Sequence, residues 1–567
     1  MHLLKHFREL TVRSKNAQEL KGLILQLAVQ GKLTGKWREE NPNVETATVL
    51  LKRVKEEKTK LTKEKKVRKG KTSSKVTNEE KYLQIPKKWE WSRLIEIGNL
   101  FNGNSVNKAV KEIKYEGLEE GFSYLGTKDI NYGFEKLNYD NGVKIPFYEP
   151  KFKIAHKKTP LICSEGGSAG KKCGITNQDI CFGNKLYALE QYGDIEPIFI
   201  LSLYQTPIFY KEFQSRMTGI IGGISINSFG EIPIPIPPLE EQKAIVEIVE
   251  TLFKEVEQLE QLTVERITLK ERFVVSALKQ IATNNSKKEW AYLQEHFYSF
   301  FNETSNIKKL RETVLQLAVQ GKFTAGWRAN NPNIEDANQL LKRIEKEKAQ
   351  LIKDKKIKKE KPLPPITKDE IPYELPAGWV WSRFGDSSIN MDGFRIPLSK
   401  ADRAKRQGDY DYYGAQGVID HIDDFIFNKS LLLIAEDGGN LLRRTKPVAY
   451  MAHGKYWVNN HAHVVDTVDE YTKLYLEIFI NSIDLSPHLN GQPPMQIKLN
   501  RGKLNLISTS FPPLQEQKAI VHKVNALMGL CDALEQQVKR SQKQSEQLMQ
   551  SVLREVFEGK KELEAFY

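Results

Sequence analysis

Cysteine is scarce. The chain has four cysteines in 567 residues, too few for a disulfide framework, which excludes a small stapled secreted fold and suits a reducing compartment. Long apolar runs are also lacking: no stretch reaches about 18 apolar residues, so no transmembrane helix is predicted. The opening Met1-His2-Leu3-Leu4-Lys5-His6 has neither the apolar stretch nor the cleavage site of a signal peptide. Together these absences predict a cytoplasmic protein without a membrane partner. Catalytic motifs are missing in turn. Gly170-Lys171 lacks the upstream glycine and the following Ser/Thr of a phosphate-binding loop, and no Gly-x-Gly-x-x-Gly follows a strand. Neither Asn-Pro-Pro-Tyr nor Asp-Pro-Pro-Tyr occurs, the tetrapeptides that would grip a flipped adenine. Cys163, Cys173 and Cys181 fall close together without Cys-x-x-Cys spacing and read as buried thiols rather than zinc ligands.

Hydrophobic residues make up 40% and charged residues 28%, the balance of a soluble globular chain long enough for two to four domains. The net charge of +14 is concentrated in two places. Residues 52–75 carry twelve Lys/Arg against three Glu, and residues 342–361 carry ten against four acids, so the rest of the chain sums to −1. Such stretches serve as phosphate-binding elements or as solvated helix ends and linkers.

A duplication organises the chain. Leu25-Gln26-Leu27-Ala28-Val29-Gln30-Gly31-Lys32 recurs letter for letter as Leu315-Gln316-Leu317-Ala318-Val319-Gln320-Gly321-Lys322. Over 25–58 against 315–348, 22 of 34 positions are identical at an offset of 290. The offset holds through Trp89-Glu90-Trp91-Ser92-Arg93 and Trp379-Val380-Trp381-Ser382-Arg383. A second block, Pro237-Pro238-Leu239-Glu240-Glu241-Gln242-Lys243-Ala244-Ile245-Val246, returns at an offset of 275 from Pro512 to Val521. Between the blocks, segments of about 95–236 and 385–511 show no visible match. Two near-identical frames thus carry two different inserts, as in a pseudo-two-fold scaffold presenting two recognition modules.

The frames read as helical. Ile520, Val524, Leu527, Cys531, Leu534, Val538, Leu548 and Val552 follow a heptad seam interrupted at Ser541 and Ser545, and Ile245, Val249, Leu252, Val256 and Leu259 begin a similar one. A helix over about 239–281 is roughly 60 Å long and needs a partner; antiparallel pairing with its copy would satisfy the pseudo-two-fold. Shorter helices carry Leu20, Leu23 and Leu27, or Leu310, Val314 and Leu317, toward glycine caps at Gly31 and Gly321. The inserts read as mixed α/β. Tyr124–Phe134 has the form strand, turn, strand. In both inserts a strand runs into a Gly-Gly loop and then two cations: Leu161 to Lys171-Lys172, and Leu431 to Arg443-Arg444. Small residues let backbone approach a phosphate and the cations supply the contact; a plain turn explains the glycines equally well. His461-Ala462-His463 alternates on one strand face, two ligand types without a third nearby. Asn459 and Asn460 suit adenine edges and also suit turns.

The duplicated Leu-Gln-Leu-Ala-Val-Gln-Gly-Lys block, the paired Pro-Pro-Leu helix starts, the divergent inserts, and phrases such as Tyr412-Tyr413-Gly414-Ala415 and Trp457–Val464 resemble the specificity subunit of Type I restriction–modification systems. The resemblance covers essentially the whole chain. It implies an α+β protein, with two mixed α/β target recognition domains joined by a long antiparallel coiled-coil spacer. The expected segments are 1–84 (helical repeat and basic linker), 85–237 (first recognition domain), 238–374 (spacer with the second repeat and linker), 375–512 (second recognition domain) and 513–567 (spacer helix). It further implies partners: double-stranded DNA, two modification (methyltransferase) subunits and two restriction/translocase subunits. S-adenosylmethionine, ATP and Mg belong to those partners; this chain is expected to bind no cofactor or metal and to catalyse nothing. The expected DNA contacts are Lys128, Lys171, Lys172, Arg216 and Asn227 in the first insert. In the second they are Arg395, Arg403, Arg443, Arg444, Asn459, Asn460, Lys498, Asn500 and Arg501. The long lysine-rich stretches depart from the family pattern. Two other readings remain: a metal-dependent nuclease using Glu436, Asp437, His461 and His463, and a non-specific coiled-coil adaptor.

Overall fold

The computed structural model describes residues 13–67, 73–219, 222–284, 287–491 and 497–557. Its contacts divide the chain into two units, residues 1–266 with 545–567, and residues 267–544. Both cuts fall inside long helices, so each unit holds one insert together with its copy of the frame. This grouping is coarser than the five segments expected from the sequence.

The first unit opens with α1 (Ser14–Val29) and α2 (Ala47–Lys63). Leu20, Leu23 and Leu27 line one face of α1 at helical spacing and are buried. The helix stops where the Gly31 N–H returns to Ala28 O and the Lys32 N–H to Leu27 O, with Gly31 at φ +68°. A Cβ on Gly31 would also lie 2.6 Å from the Pro86 ring, so glycine is required there on two counts.

The insert follows as β1 (Glu90–Arg93), β2 (Gly98–Asn102), β3 (Phe122–Leu125), β4 (Lys144–Ile145), β5 (Ile154–Ala155), β6 (Pro160–Cys163), β7 (Cys173–Ile175), β8 (Ile180–Phe182), β9 (Leu186–Gln191), α3 (Pro197–Tyr204) and β10 (Pro233–Ile236). β1 and β10 form an antiparallel ribbon at the neck, with Ser92 opposite Ile234. Beyond it lie two four-stranded sheets, in the orders β2-β9-β6-β7 and β4-β3-β8-β5. All pairings are antiparallel except β3 with β8. The unit closes with the first part of α4 (Leu239–Asn284), to residue 266. Val249 and Val256 of α4 share a core with Leu20, Leu27 and Leu50.

The second strand expected within Tyr124–Phe134 does not form. The Asp129 carboxylate accepts the Gly126 N–H at 2.9 Å and holds a tight turn, after which buried Ile130 plugs the core from a loop.

The second unit repeats the plan. It has α5 (Thr304–Val319), α6 (Ala337–Lys353), β11 (Val380–Arg383), β12 (Ile389–Asn390), β13 (Gln407–Gly414), β14 (Gly417–Ile422), β15 (Phe427–Asn428), β16 (Leu431–Ala435), β17 (Ala449–Ala452), β18 (Lys455–Val458), β19 (Ala462–Asp466), α7 (Glu470–Ser482), β20 (Ser508–Phe511) and α8 (Leu514–Phe557). The neck ribbon is β11 with β20. The sheets run β12-β19-β16-β17 and β14-β13-β18-β15, with β13 and β18 the one parallel pair. Strand for strand this is the topology of the first insert, although the two sequences show no visible match.

Within this unit the helices pair antiparallel. Gln542 of α8 donates to Asn302 O just before α5, while Arg311, further along α5, reaches Asp532 at 2.6 Å. The end of α4 runs alongside α5, with Ser305 bonded to Glu271 and Lys322 to Ala282 O. Val274 and Leu278 of α4 share a core with Cys531 and Val538 of α8. The heptad seam is buried at Ile520, Val524, Cys531 and Val538 and half-buried at Leu527 and Leu534; Leu548 is 67% exposed, beyond the polar break at Ser541 and Ser545, and the Val552 side chain lies outside the described residues.

Candidate nucleic-acid interface

Each insert is mounted on its frame by the same buried polar groups. Glu241, in the first turn of α4, accepts from Trp89 Nε1 at 2.8 Å, Thr34 Oγ1 at 2.7 Å and Arg38 Nη1 at 2.5 Å. Glu516, in the first turn of α8, does the same with Trp379 Nε1 at 2.7 Å, Thr324 Oγ1 at 2.6 Å and Arg328. Both carboxylates are fully buried, at helix ends that favour negative charge. The neighbouring glutamines tie α4 and α8 to the inserts: Gln242 accepts the Glu196 N–H and Gln517 the Thr472 hydroxyl, while each donates to its own proline carbonyl, Pro237 or Pro512. At the neck Arg93 bridges Glu80 and Glu231 O, and Arg383 bridges Glu370 and Leu506 O. The Arg383 guanidinium, helped by Thr367, holds the Glu370 carboxyl down to about 2.

The two Gly-Gly loops noted in the sequence are equivalent in space. Each leaves the central strand, β6 or β16, and is pinned two residues on by an isolated bridge, Glu165 with Gly223 and Asp437 with Lys498. The Ile224 N–H then reaches Ser164 O, and the Leu499 N–H reaches Glu436 O. In the first domain the Tyr187 hydroxyl of β9 donates to Ile224 O at 2.8 Å. In the second, His463 of β19 holds the matching position, with Nε2 2.7 Å from Leu499 O. A carbonyl only accepts, so Nε2 is the donor. His463 is therefore the counterpart of a structural tyrosine.

The acids and histidines of the second insert do come together. His463 Nδ1 lies 2.7 Å from Asp392, His461 Nδ1 lies 2.7 Å from Asp437, and Arg395 bonds Glu436 at 2.7 Å. Burial works to raise the Asp392 carboxyl, but the His463 hydrogen bond and the Arg395 charge outweigh it and the group sits below its usual range. These groups satisfy one another; among the described residues no set of three or more His, Cys, Asp or Glu is arranged to hold a metal ion. His461 precedes β19 rather than lying on it. Burial pushes Cys163, Cys173 and Cys181 up to about 12, as expected for inert thiols.

The expected contact residues divide by environment. Lys128, Lys171, Asn227, Arg443 and Asn460 are exposed, while Lys172 and Lys498 are half-buried. Lys171 and Lys172 sit over the rings of Tyr210 and Tyr132, 5.9 and 5.4 Å from their centroids. Others are engaged with partners within the chain. Arg444 caps the end of α7, reaching Ile483 O at 2.6 Å and Ile480 O at 3.4 Å. Arg395 is tied to Glu436 and to Ala462 O. Arg403 pairs with Asp420 and lies 4.9 Å from the Tyr412 ring centroid. Asn459 is buried and accepts the His461 N–H. Asn500 caps a short helix at the Lys503 N–H, Arg501 pairs with Glu360, and Arg216 pairs with Glu212 four residues earlier. The anchoring roles of Glu241, Glu516, Tyr187 and His463 escaped sequence reasoning; the signal for the first two was their place in the duplicated helix starts.

A family model described as the Type I restriction modification DNA specificity domain matches residues 86–269 and 386–542. The Escherichia coli "Type I restriction enzyme EcoAI specificity subunit" is 30% identical over 564 residues, covering 92% of this chain and 90% of that one. The EcoEI specificity subunit, also from E. coli, is 28% identical over 556 residues, covering 93% and 91%. A solved HsdS subunit from Thermoanaerobacter tengcongensis aligns over 85% of this chain and 99% of that chain, at 16% identity and a TM-score of 0.40. With both inserts matched by one family model and nearly the full length shared with such relatives, the chain belongs to the Type I restriction–modification DNA specificity family.

Proposed function

We propose that the chain reads a two-part DNA sequence, one part with each recognition domain, and brings the modification and restriction subunits of a Type I system to it. The observation that supports this most is the pair of domains with one topology, one set of buried anchors and unlike exposed surfaces. A duplicated catalytic domain would keep its reactive groups in both copies. Here His463 of one copy stands where the other has Tyr187. The readout falls to the exposed and half-buried groups around the pinned loops, Lys171, Lys172 and Asn227 in one domain and Arg443, Asn460 and Lys498 in the other. Methylation and cleavage belong to the partners, which use S-adenosylmethionine, ATP and Mg; this chain supplies address rather than chemistry.

The test is a domain exchange read by methylation mapping of genomic DNA. Replacing residues 385–511 with the corresponding region of a relative, in cells that supply the modification subunit, changes one half of the methylated motif and leaves the other half intact. A change in both halves overturns the modular reading, and an unchanged motif overturns the assignment of readout to the inserts.

A further inference from the structure

The lysine-rich stretches lie in the frames, outside the inserts, and account for all of the net positive charge. Their geometry is duplicated. After α2 the Lys65 N–H returns to Thr62 O and the Lys66 N–H to Leu61 O; after α6 the Lys355 N–H returns to Ile352 O and the Lys356 N–H to Leu351 O. This is the same helix stop used at Gly31 and Gly321, but its left-handed residue is a lysine in both copies, Lys65 at φ 55° and Lys355 at φ 56°. An L side chain is strained there where glycine is not, so both frames keep a cation at a position that local stability alone would give to glycine.

The turns are fastened rather than trailing. Lys58 bonds Ile95 O and Glu96 at 3.0 Å, and Lys348 bonds Gly385 O at the matching place. Leu61 and Val67 pack on the first unit's core. Each turn is thereby held at the base of its own recognition domain. Lys60, Lys63 and Lys65, and Lys355, Lys358 and Lys359, are exposed and make no ion pair with a carboxylate among the described residues. In the second unit the turn borders a cavity of about 540 Å³ that also takes in Arg501 and Asn390. The buried Asn390 Nδ2 has no acceptor among the described residues.

From this geometry we propose that the two lysine turns are phosphate clamps, each gripping the DNA backbone beside the half-site its own domain reads. Clusters of exposed cations on a rigid mount match a regular row of phosphates, and phosphate contact adds affinity without sequence preference. This inference rests on the DNA-reading function proposed above.

The experiment uses the full chain assembled with its modification subunits. Lys63, Lys65, Lys355, Lys358 and Lys359 are replaced by Gln, and binding to duplexes with and without the methylated motif is measured across salt concentrations. The expected result is weaker binding to both duplexes by the same factor. The slope of log K against log salt falls by about one for each phosphate no longer neutralised, and the motif itself is unchanged. A second pair, Lys65→Gly and Lys355→Gly, melts at higher temperature yet binds DNA more weakly, whereas a purely structural turn would move stability alone. Unchanged affinity and slope in an assembled complex overturn the clamp. So does loss of subunit assembly with the salt slope intact, which would place an acidic protein face on the lysines instead. A wild-type complex without preference for the motif would instead sink the specificity reading itself.

Discussion

The two recognition domains share every strand neighbour and the one parallel pairing in each, yet differ in many of the side chains that fill them. Where one pins its loop with the Tyr187 hydroxyl, the other uses the His463 ring. Where one packs its sheet under the apolar helix Pro197–Tyr204, the other uses Glu470–Ser482, which carries an acid, Glu477, among apolar neighbours. The frames behave oppositely: Glu241 and Glu516 keep the same three donors in both copies. The contrast teaches that the mounting is held fixed by buried, mutually satisfied polar groups, which tolerate little change. The domain beyond the neck asks only that some donor fill each place, which leaves its surface open to variation.

The sharpest way to break this comparison is to remove the mount. Glu516→Ala strands Arg328 and leaves the Trp379 N–H and the Thr324 hydroxyl without their shared acceptor. The expected cost is about 3–5 kcal/mol, the range for breaking a buried pair by deleting one partner. Glu241→Ala should cost as much in the first unit. Urea unfolding followed by hydrogen exchange resolves which unit opens. Loss of protection confined to the mutated half supports two independently mounted domains, whereas equal loss in both halves contradicts it.

A smaller effect separates the domains by pH. Burial pushes the Glu477 carboxyl up to about 7, from an ordinary 4.5. Between those values the folded state holds a proton that the unfolded state has released, so stability is full below about 4.5 and falls as pH rises through 7. The shift corresponds to roughly 3 kcal/mol. Glu477→Gln should remove this slope and stabilise the second unit at pH 8 by a similar amount. The first unit, whose equivalent helix has no acid, should lack this contribution. A wild-type second unit with flat stability between pH 5 and 8 would refute the assignment.

How much of this was legible follows from where the information sits. The helices, their glycine stops and the antiparallel pairing were readable because heptads and Gly31/Gly321 are local signals repeated in the chain. The shared sheet order of the inserts was not, because strands of two to eight residues such as Lys144–Ile145 and Phe427–Asn428 carry too few side chains to show register. The pinned loops were half legible: strand, Gly-Gly and cations stand out in the sequence, but the bridges from Glu165 to Gly223 and from Asp437 to Lys498 span about sixty residues. The side chains proposed to face DNA were the least legible. An arginine that reads as a phosphate ligand is chemically identical to one that caps a helix, and only the position of that helix end decides between them.

Arg443 and Arg444 carry that last distinction, adjacent in sequence and opposite in environment. Arg443 is exposed at the end of a four-residue helix, whereas Arg444 turns left-handed at φ 50° and spends its guanidinium on the carbonyls closing Glu470–Ser482. Arg444→Ala should therefore cost about 1 kcal/mol of stability, the usual worth of a cation capping a helix end, and leave the salt dependence of DNA binding unchanged. Arg443→Ala should change stability by less than about 0.5 kcal/mol and lower the salt slope by about one, the signature of one fewer neutralised phosphate. Thermal melting and salt titration of the two variants, run side by side, decide the matter. If Arg444→Ala lowered the slope and Arg443→Ala did not, the cap would be incidental and the loop would face DNA through its other arginine.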